Sequence, residues 1–116
     1  MRNLYIVMYH YVRDLTHSRY PLIKGMDIKC FREQLLFLIR NFNVVRMEQI
    51  ISAVKGEKDL PEKSILLTFD DGYIDDYTYV LPVLEEFGIQ GSFFVPGKTF
   101  AEHKLLDVNK IHYILV

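Results

Sequence analysis

The sequence predicts an α/β fold in which a parallel sheet carries helices on its outside. Three observations lead there. Apolar runs of strand length alternate with stretches whose apolar residues recur every three or four positions, the order expected when strands are joined by crossover helices. Turn-forming residues separate the runs. One largely apolar run, residues 65–69, ends in two adjacent carboxylates and a glycine, and α/β folds bind ligands at the carboxyl ends of their strands. The 116 residues suffice for one modest domain, with no internal repeat or interdomain linker. A composition that is 50% hydrophobic and 25% charged excludes a disordered chain. A net charge of −1 without a basic stripe gives no support for nucleic-acid binding.

Each element has its own signal. Residues 4–11 read as the first strand, and residues 12–25 as a polar loop with turn formers at Asp14, Ser18, Pro21 and Gly25. Asp27 is placed to cap a helix over 28–41, where Ile28, Phe31, Leu35, Leu38 and Phe42 make one apolar stripe. A short strand at 43–46 and a helix at 47–54 follow, the helix stopped by Gly56 before a charged loop to 63. Beyond the acidic strand, residues 75–87 read as partly helical, with Asp75 and Asp76 as N-terminal caps, Pro82 at a first turn or kink, and Gly88 as the stop. Residues 91–95 form another strand, and 111–116 are an apolar run reaching the last residue. Most of the eight Phe and eight Tyr fall in apolar patterns and are expected in the core. Cys30, the single cysteine, has no internal partner and reads as a small residue on a helix flank.

Two like charges at the end of a buried strand are unfavourable unless a cation or a substrate group compensates them. Read alone, Asp70-Asp71-Gly72 is also an ordinary strand-closing turn. The segment Thr68-Phe69-Asp70-Asp71-Gly72-Tyr73 resembles the first motif of the polysaccharide deacetylases, the NodB-homology carbohydrate esterases. Met8-Tyr9-His10-Tyr11-Val12 is similar to the family's first strand. Residues 81–89 are similar to the helix after the acidic motif, and Ser92-Phe93-Phe94-Val95-Pro96-Gly97 to the next strand. The resemblance covers about residues 4–97.

That resemblance implies removal of N- or O-acetyl groups from a carbohydrate by a metal-dependent hydrolase. A divalent metal, Zn or else Co or Ni, lowers the pKa of water and polarises the carbonyl, while a carboxylate removes the proton. On this reading Asp70 is the general base and Asp71 a metal ligand. His10, Tyr73 and Gly97 are expected near the substrate. For His10, a strand-end imidazole bonded to backbone is an equal alternative. His17 and His103 read as surface residues and His112 as a core histidine.

The family's remaining metal ligands form a His-x-x-x-His arrangement after the acidic motif. Here the histidines are His10, His17, His103 and His112, and no two are four apart. Catalytic zinc usually takes three protein ligands. The chain is therefore expected to bind zinc weakly or not at all, and to be inactive alone. The resemblance further implies a (β/α) barrel, which takes roughly 200 residues or more. The expectation is a partial (β/α) barrel of the polysaccharide deacetylase type, incomplete at the C-terminus, with residues 1–116 as the N-terminal portion of one domain. Its open sheet edge is expected to promote self-association.

Two other classes compete. One is a non-catalytic sugar- or partner-binding protein that keeps half of the fold. The other is a phosphoacceptor receiver domain, whose paired acids, however, follow the first strand, where this chain has Tyr9-His10-Tyr11. The run at 4–9 after Arg2 is too short for a secretion signal and lacks a small-residue cleavage site, and no stretch reaches the roughly 18 apolar residues of a transmembrane segment. A cytoplasmic location is the default expectation, with envelope association as the alternative that envelope sugars as substrates suggest.

Overall fold

A computed structural model describes residues 3–115. In chain order the elements are β1 (Leu4–Tyr9), β2 (Val12–Arg13), β3 (Met26–Asp27), α1 (Ile28–Asn41), β4 (Asn43–Val45), α2 (Met47–Val54), β5 (Ser64–Asp70), α3 (Leu81–Phe87), β6 (Ser92–Phe94), α4 (Gly97–Glu102) and α5 (Asp107–Leu115). A π-helical turn, Asp76–Val80, runs directly into α3.

The sheet is parallel throughout and organised on β5. β1 pairs along it from Leu4↔Ser64 to Tyr9↔Phe69. β4 pairs with its beginning, Asn43↔Ser64 to Val45↔Leu66, and β6 with its end, Thr68↔Ser92 to Asp70↔Phe94. Since β1 occupies one side of β5 over residues 64–69, β4 and β6 lie end to end along the other. β2 and β3 form a separate parallel pair. Every strand of the main sheet thus ends toward the same rim.

Strand alternation divides β5 between two faces. Ile65, Leu67 and Phe69 enter the core against Phe31, Leu35 and Leu38 of α1 and Val80, Val83 and Leu84 of the π-turn and α3. Phe31, Leu35, Leu67 and Phe69 are completely inaccessible, each such burial being worth about 1.5–3 kcal/mol. Tyr9 meets Phe31 edge-on at 5.1 Å and stacks on Phe69 at 5.0 Å. Leu66, Thr68 and Asp70 point the other way. On that face their neighbours Ile6 and Met8 are 62% and 63% exposed, and Phe94 is half exposed. The helices cover one face of the sheet; on the face that carries Asp70, Ser64, Leu66, Thr68 and Val45 are buried while the surroundings of Ile6, Met8 and Phe94 stay open.

Local chemistry explains most boundaries. The Asp27 side chain accepts the Lys29 N–H and starts α1. Pro82 sits in the first turn of α3, where no backbone donor is needed, and Gly88 closes that helix at φ +65°. β1 ends two residues earlier than its apolar run suggests, its last pair with β5 being Tyr9↔Phe69. The stretch at 75–87 is not one helix but a π-turn followed by α3. The end of the chain is helical over Asp107–Leu115, with Arg2 and Val116 outside the described residues. The expectation for the aromatics is corrected. Of the sixteen, only Tyr9, Tyr11, Phe31 and Phe69 are buried; Phe37, Tyr77 and Phe100 lie exposed on helical segments and Tyr5 and Phe94 are half exposed on the sheet.

Candidate functional site

The turn after β5 builds the site. Strand alternation alone sends Asp70 and Asp71 to opposite faces. Asp71 instead adopts a left-handed conformation, φ +77°, followed by Gly72 at φ +62°, and its N–H donates to Phe94 O at 3.0 Å. This reversal returns the second carboxylate to the open face. Both acids then meet His10, which directly follows β1. His10 Nε2 lies 3.8 Å from Asp70 Oδ2 and 3.9 Å from Asp71 Oδ2. A left-handed Asp is uncommon and is tolerated better than most residues there. Gly72 is needed twice over, for its positive φ and because a Cβ would stand 3.1 Å from Val95 Cγ1.

The two carboxylates line an open groove with Phe93, Phe94, Val95 and Pro96. Gly97 lies just beyond it as the first residue of α4. Its φ is not positive and a Cβ would meet nothing within 4 Å, so this position, unlike Gly72, does not require glycine.

Tyr73 turns toward Asp71. Its hydroxyl donates to Asp71 Oδ2 at 2.8 Å and accepts from Asn109 Nδ2 at 2.6 Å. The same Nδ2 donates to Tyr11 Oη at 2.8 Å, and Tyr11 Oη lies 3.1 Å from His112 Nδ1. The Tyr11 and Tyr73 rings stack at 4.5 Å. Burial first, with the hydrogen bond to Asp71, raises the Tyr73 phenol far above its ordinary value, so it stays a donor at physiological pH. His112 is half-buried in this network rather than in the core. His17 is exposed and pairs with Asp14 at 2.7 Å, and His103 is exposed at the end of α4.

Asp75 and Asp76 correct a second expectation. Neither side chain makes a capping bond. Asp75 is buried and accepts Arg13 Nε at 2.7 Å, while Arg13 also donates to Tyr113 Oη at 3.0 Å and lies over the Tyr11 ring. Burial raises the Asp75 carboxyl despite that partner. Asp76 is buried with neither carboxyl oxygen hydrogen-bonded. Burial first, then the neighbouring Asp75, Asp70 and Asp71 charges, push it up to about 7. Sequence reasoning missed both because capping by Asp at a helix start is the commoner use, and Arg13 sat in what read as a polar loop. Asn109 carried no local signal at all. Its partners lie 36 and 98 residues away.

A metal needs more than this rim holds. Among the described residues no three His, Cys, Asp or Glu side chains are arranged to hold an ion, and at this rim the two carboxylates stand 3.8 and 3.9 Å from the same His10 Nε2. The residues present do not fit a complete catalytic zinc site. No helix among them is long and apolar enough to cross a membrane.

The fold and the rim define an α/β protein whose polar site is built at the carboxyl ends of parallel strands, where two adjacent acids meet an imidazole. Residues 57–113 match the family model described as polysaccharide deacetylase. The poly-beta-1,6-N-acetyl-D-glucosamine N-deacetylase of Escherichia coli K12 is 49% identical over 83 residues, 70% of this chain and 12% of that protein. The de-N-acetylase of Aggregatibacter actinomycetemcomitans superposes with a TM-score of 0.68 at 30% identity, over 78% of this chain and 36% of that one. IcaB of Ammonifex degensii gives 0.63 at 32% identity, over 81% and 39%. These likenesses support a partial polysaccharide deacetylase domain in this chain. It spans only a small share, 12%, of the Escherichia coli relative.

Proposed function

We propose that residues 1–116 form the N-terminal, acid-bearing portion of one domain that removes acetyl groups from a polysaccharide with the help of a divalent metal. The observation that carries this reading is the meeting of Asp70, Asp71 and His10 within 4 Å on the open carboxyl rim, made by a left-handed Asp71 that serves no purpose in the core. Non-glycine residues in that conformation cluster at functional sites. Asp70 is the base for the attacking water and Asp71 a ligand of the metal, zinc or else cobalt or nickel. When bound, the metal supplies an acidified water and a polarised carbonyl. Its further ligands come from outside the described residues, and the open sheet face is where the rest of a (β/α) barrel fits. The Escherichia coli relative, named for an N-acetyl-D-glucosamine polymer, supports an N-acetylated hexosamine polymer as substrate.

Zinc calorimetry and an acetate-release assay test this on the 116-residue chain and on a chain extended with the remainder of the domain. The short chain should bind zinc weakly and release no acetate, and the extended one should do both. In the extended chain Asp70→Asn should abolish release while zinc stays bound, and Asp71→Asn should weaken zinc itself. An extended chain that binds the sugar without releasing acetate would establish the competing reading, a non-catalytic carbohydrate-binding protein.

A further inference from the structure

We propose that Asn109 is a positioning residue for Asp71, a buried amide that fixes the direction of a hydrogen-bond chain running from Asp71 to His112. The inference rests on the deacetylase reading only for the use to which Asp71 is put.

The direction follows from what each group can do. A carboxylate only accepts, so the 2.8 Å contact between Tyr73 Oη and Asp71 Oδ2 takes the phenol's single proton. Tyr73 therefore has none left for Asn109, 2.6 Å away, and must accept from it. This identifies the amide atom there as Nδ2 on chemical grounds, independent of how amide nitrogen and oxygen are otherwise told apart. Tyr11 Oη, 2.8 Å from the same nitrogen, accepts the amide's second proton. Tyr11 keeps its own proton, and the acceptor within reach is His112 Nδ1 at 3.1 Å. That nitrogen must carry a lone pair, which places the imidazole proton on Nε2. One amide thus sends two arms outward, through Tyr73 to Asp71 and through Tyr11 to His112.

The chain joins three separate parts of the sequence: the turn after β5, the residue two past β1, and α5. Asn109 is 4% exposed, and an amide buried to that degree is costly unless its donors are used. Here both are. Because Tyr73 Oη is already an acceptor, its hydroxyl does not swing away from Asp71, and polarisation along the chain strengthens its donation. The carboxylate is held through Oδ2, and among the described residues no hydrogen bond engages Oδ1.

The test reads direction rather than packing. In the 116-residue chain, imidazole nitrogen NMR should show His112 as one tautomer at neutral pH, protonated on Nε2. Tyr11→Phe should release it into a mixture. Asn109→Asp is isosteric but reverses polarity, since its carboxylate draws both phenol protons to itself. It should also release His112, and it should remove the hydrogen–deuterium isotope shift that the Tyr73 hydroxyl imposes on the Asp71 carboxyl carbon. A wild-type His112 protonated on Nδ1 would overturn the proposal. So would an Asn109→Asp chain in which both signatures persist. If that variant does not fold, the wild-type tautomer and Tyr11→Phe decide. None of these readouts involves zinc or acetate, so failure of the deacetylase reading would leave them unchanged.

Discussion

Replacing Asp76 with asparagine should stabilise the chain, and increasingly so as pH rises. Asp76 is 8% exposed, sits in the π-helical turn, and has no hydrogen-bond partner on either oxygen. Its charged neighbours Asp75, Asp70 and Asp71 are all acids, and Asp75 is itself bound to Arg13. The unfolded chain gives up this proton near 3.8, the folded chain near about 7. Below the lower value both states hold the proton and the group contributes nothing. Between the two the folded state alone keeps it, so stability falls as pH rises. Above about 7 the full penalty applies. At about 1.4 kcal/mol per tenfold, the gap amounts to roughly 4 kcal/mol. The Asp76→Asn variant is neutral at every pH. At pH 8 it should melt roughly 10 °C higher than wild type, taking about 2–4 °C per kcal/mol for a domain somewhat above 100 residues. Near pH 4 the two should melt together. Thermal unfolding by circular dichroism from pH 4 to 8 measures the gap. A difference that does not grow with pH, or a variant less stable at pH 8, would refute an unpaired buried carboxylate at this position.

Two further perturbations test the surroundings. Arg13→Met leaves Asp75 as a second unpaired buried acid and should cost about 3–5 kcal/mol at neutral pH, less near pH 4, where denaturant titration at the two pH values shows the contrast. Gly91→Ala places a Cβ 2.6 Å from Phe69 Cε2 and 3.1 Å from Leu84 Cδ1, overpacking that should cost about 1–3 kcal/mol and lower the urea midpoint without changing the slope.

Much of the fold was legible because its signals are local. The stripe from Ile28 to Phe42, the Asp27 cap and the Gly88 stop each act within a few residues, and α1, α2 and the end of α3 fall where those signals put them. The acidic pair was legible too, since charge at a strand end contradicts the apolar pattern before it. What the sequence did not disclose depends on distant partners. Arg13 reaches Asp75 across 62 positions, and Asn109 reaches Tyr11 across 98. No periodicity or spacing records such pairings. The aromatic count misled for a related reason. Apolar pattern marks a residue's face but not whether anything covers it, and Phe37, Tyr77 and Phe100 on helical segments, like Phe94 on the sheet, are left exposed.

The shared use of β5 gives the rim a form of error checking. One seven-residue strand fixes the alignment of β1, β4 and β6, and the same strand carries Phe69 into the core and Asp70 onto the open face. A slip of one residue would exchange the two, burying a carboxylate where Phe31 and Tyr9 pack and exposing a phenyl ring in its place. Misplacing the acids therefore requires dismantling the hydrophobic centre of the protein. A molecule that has folded at all has Asp70 on the open face, and only the left-handed turn at Asp71 is left to bring the second carboxylate beside it.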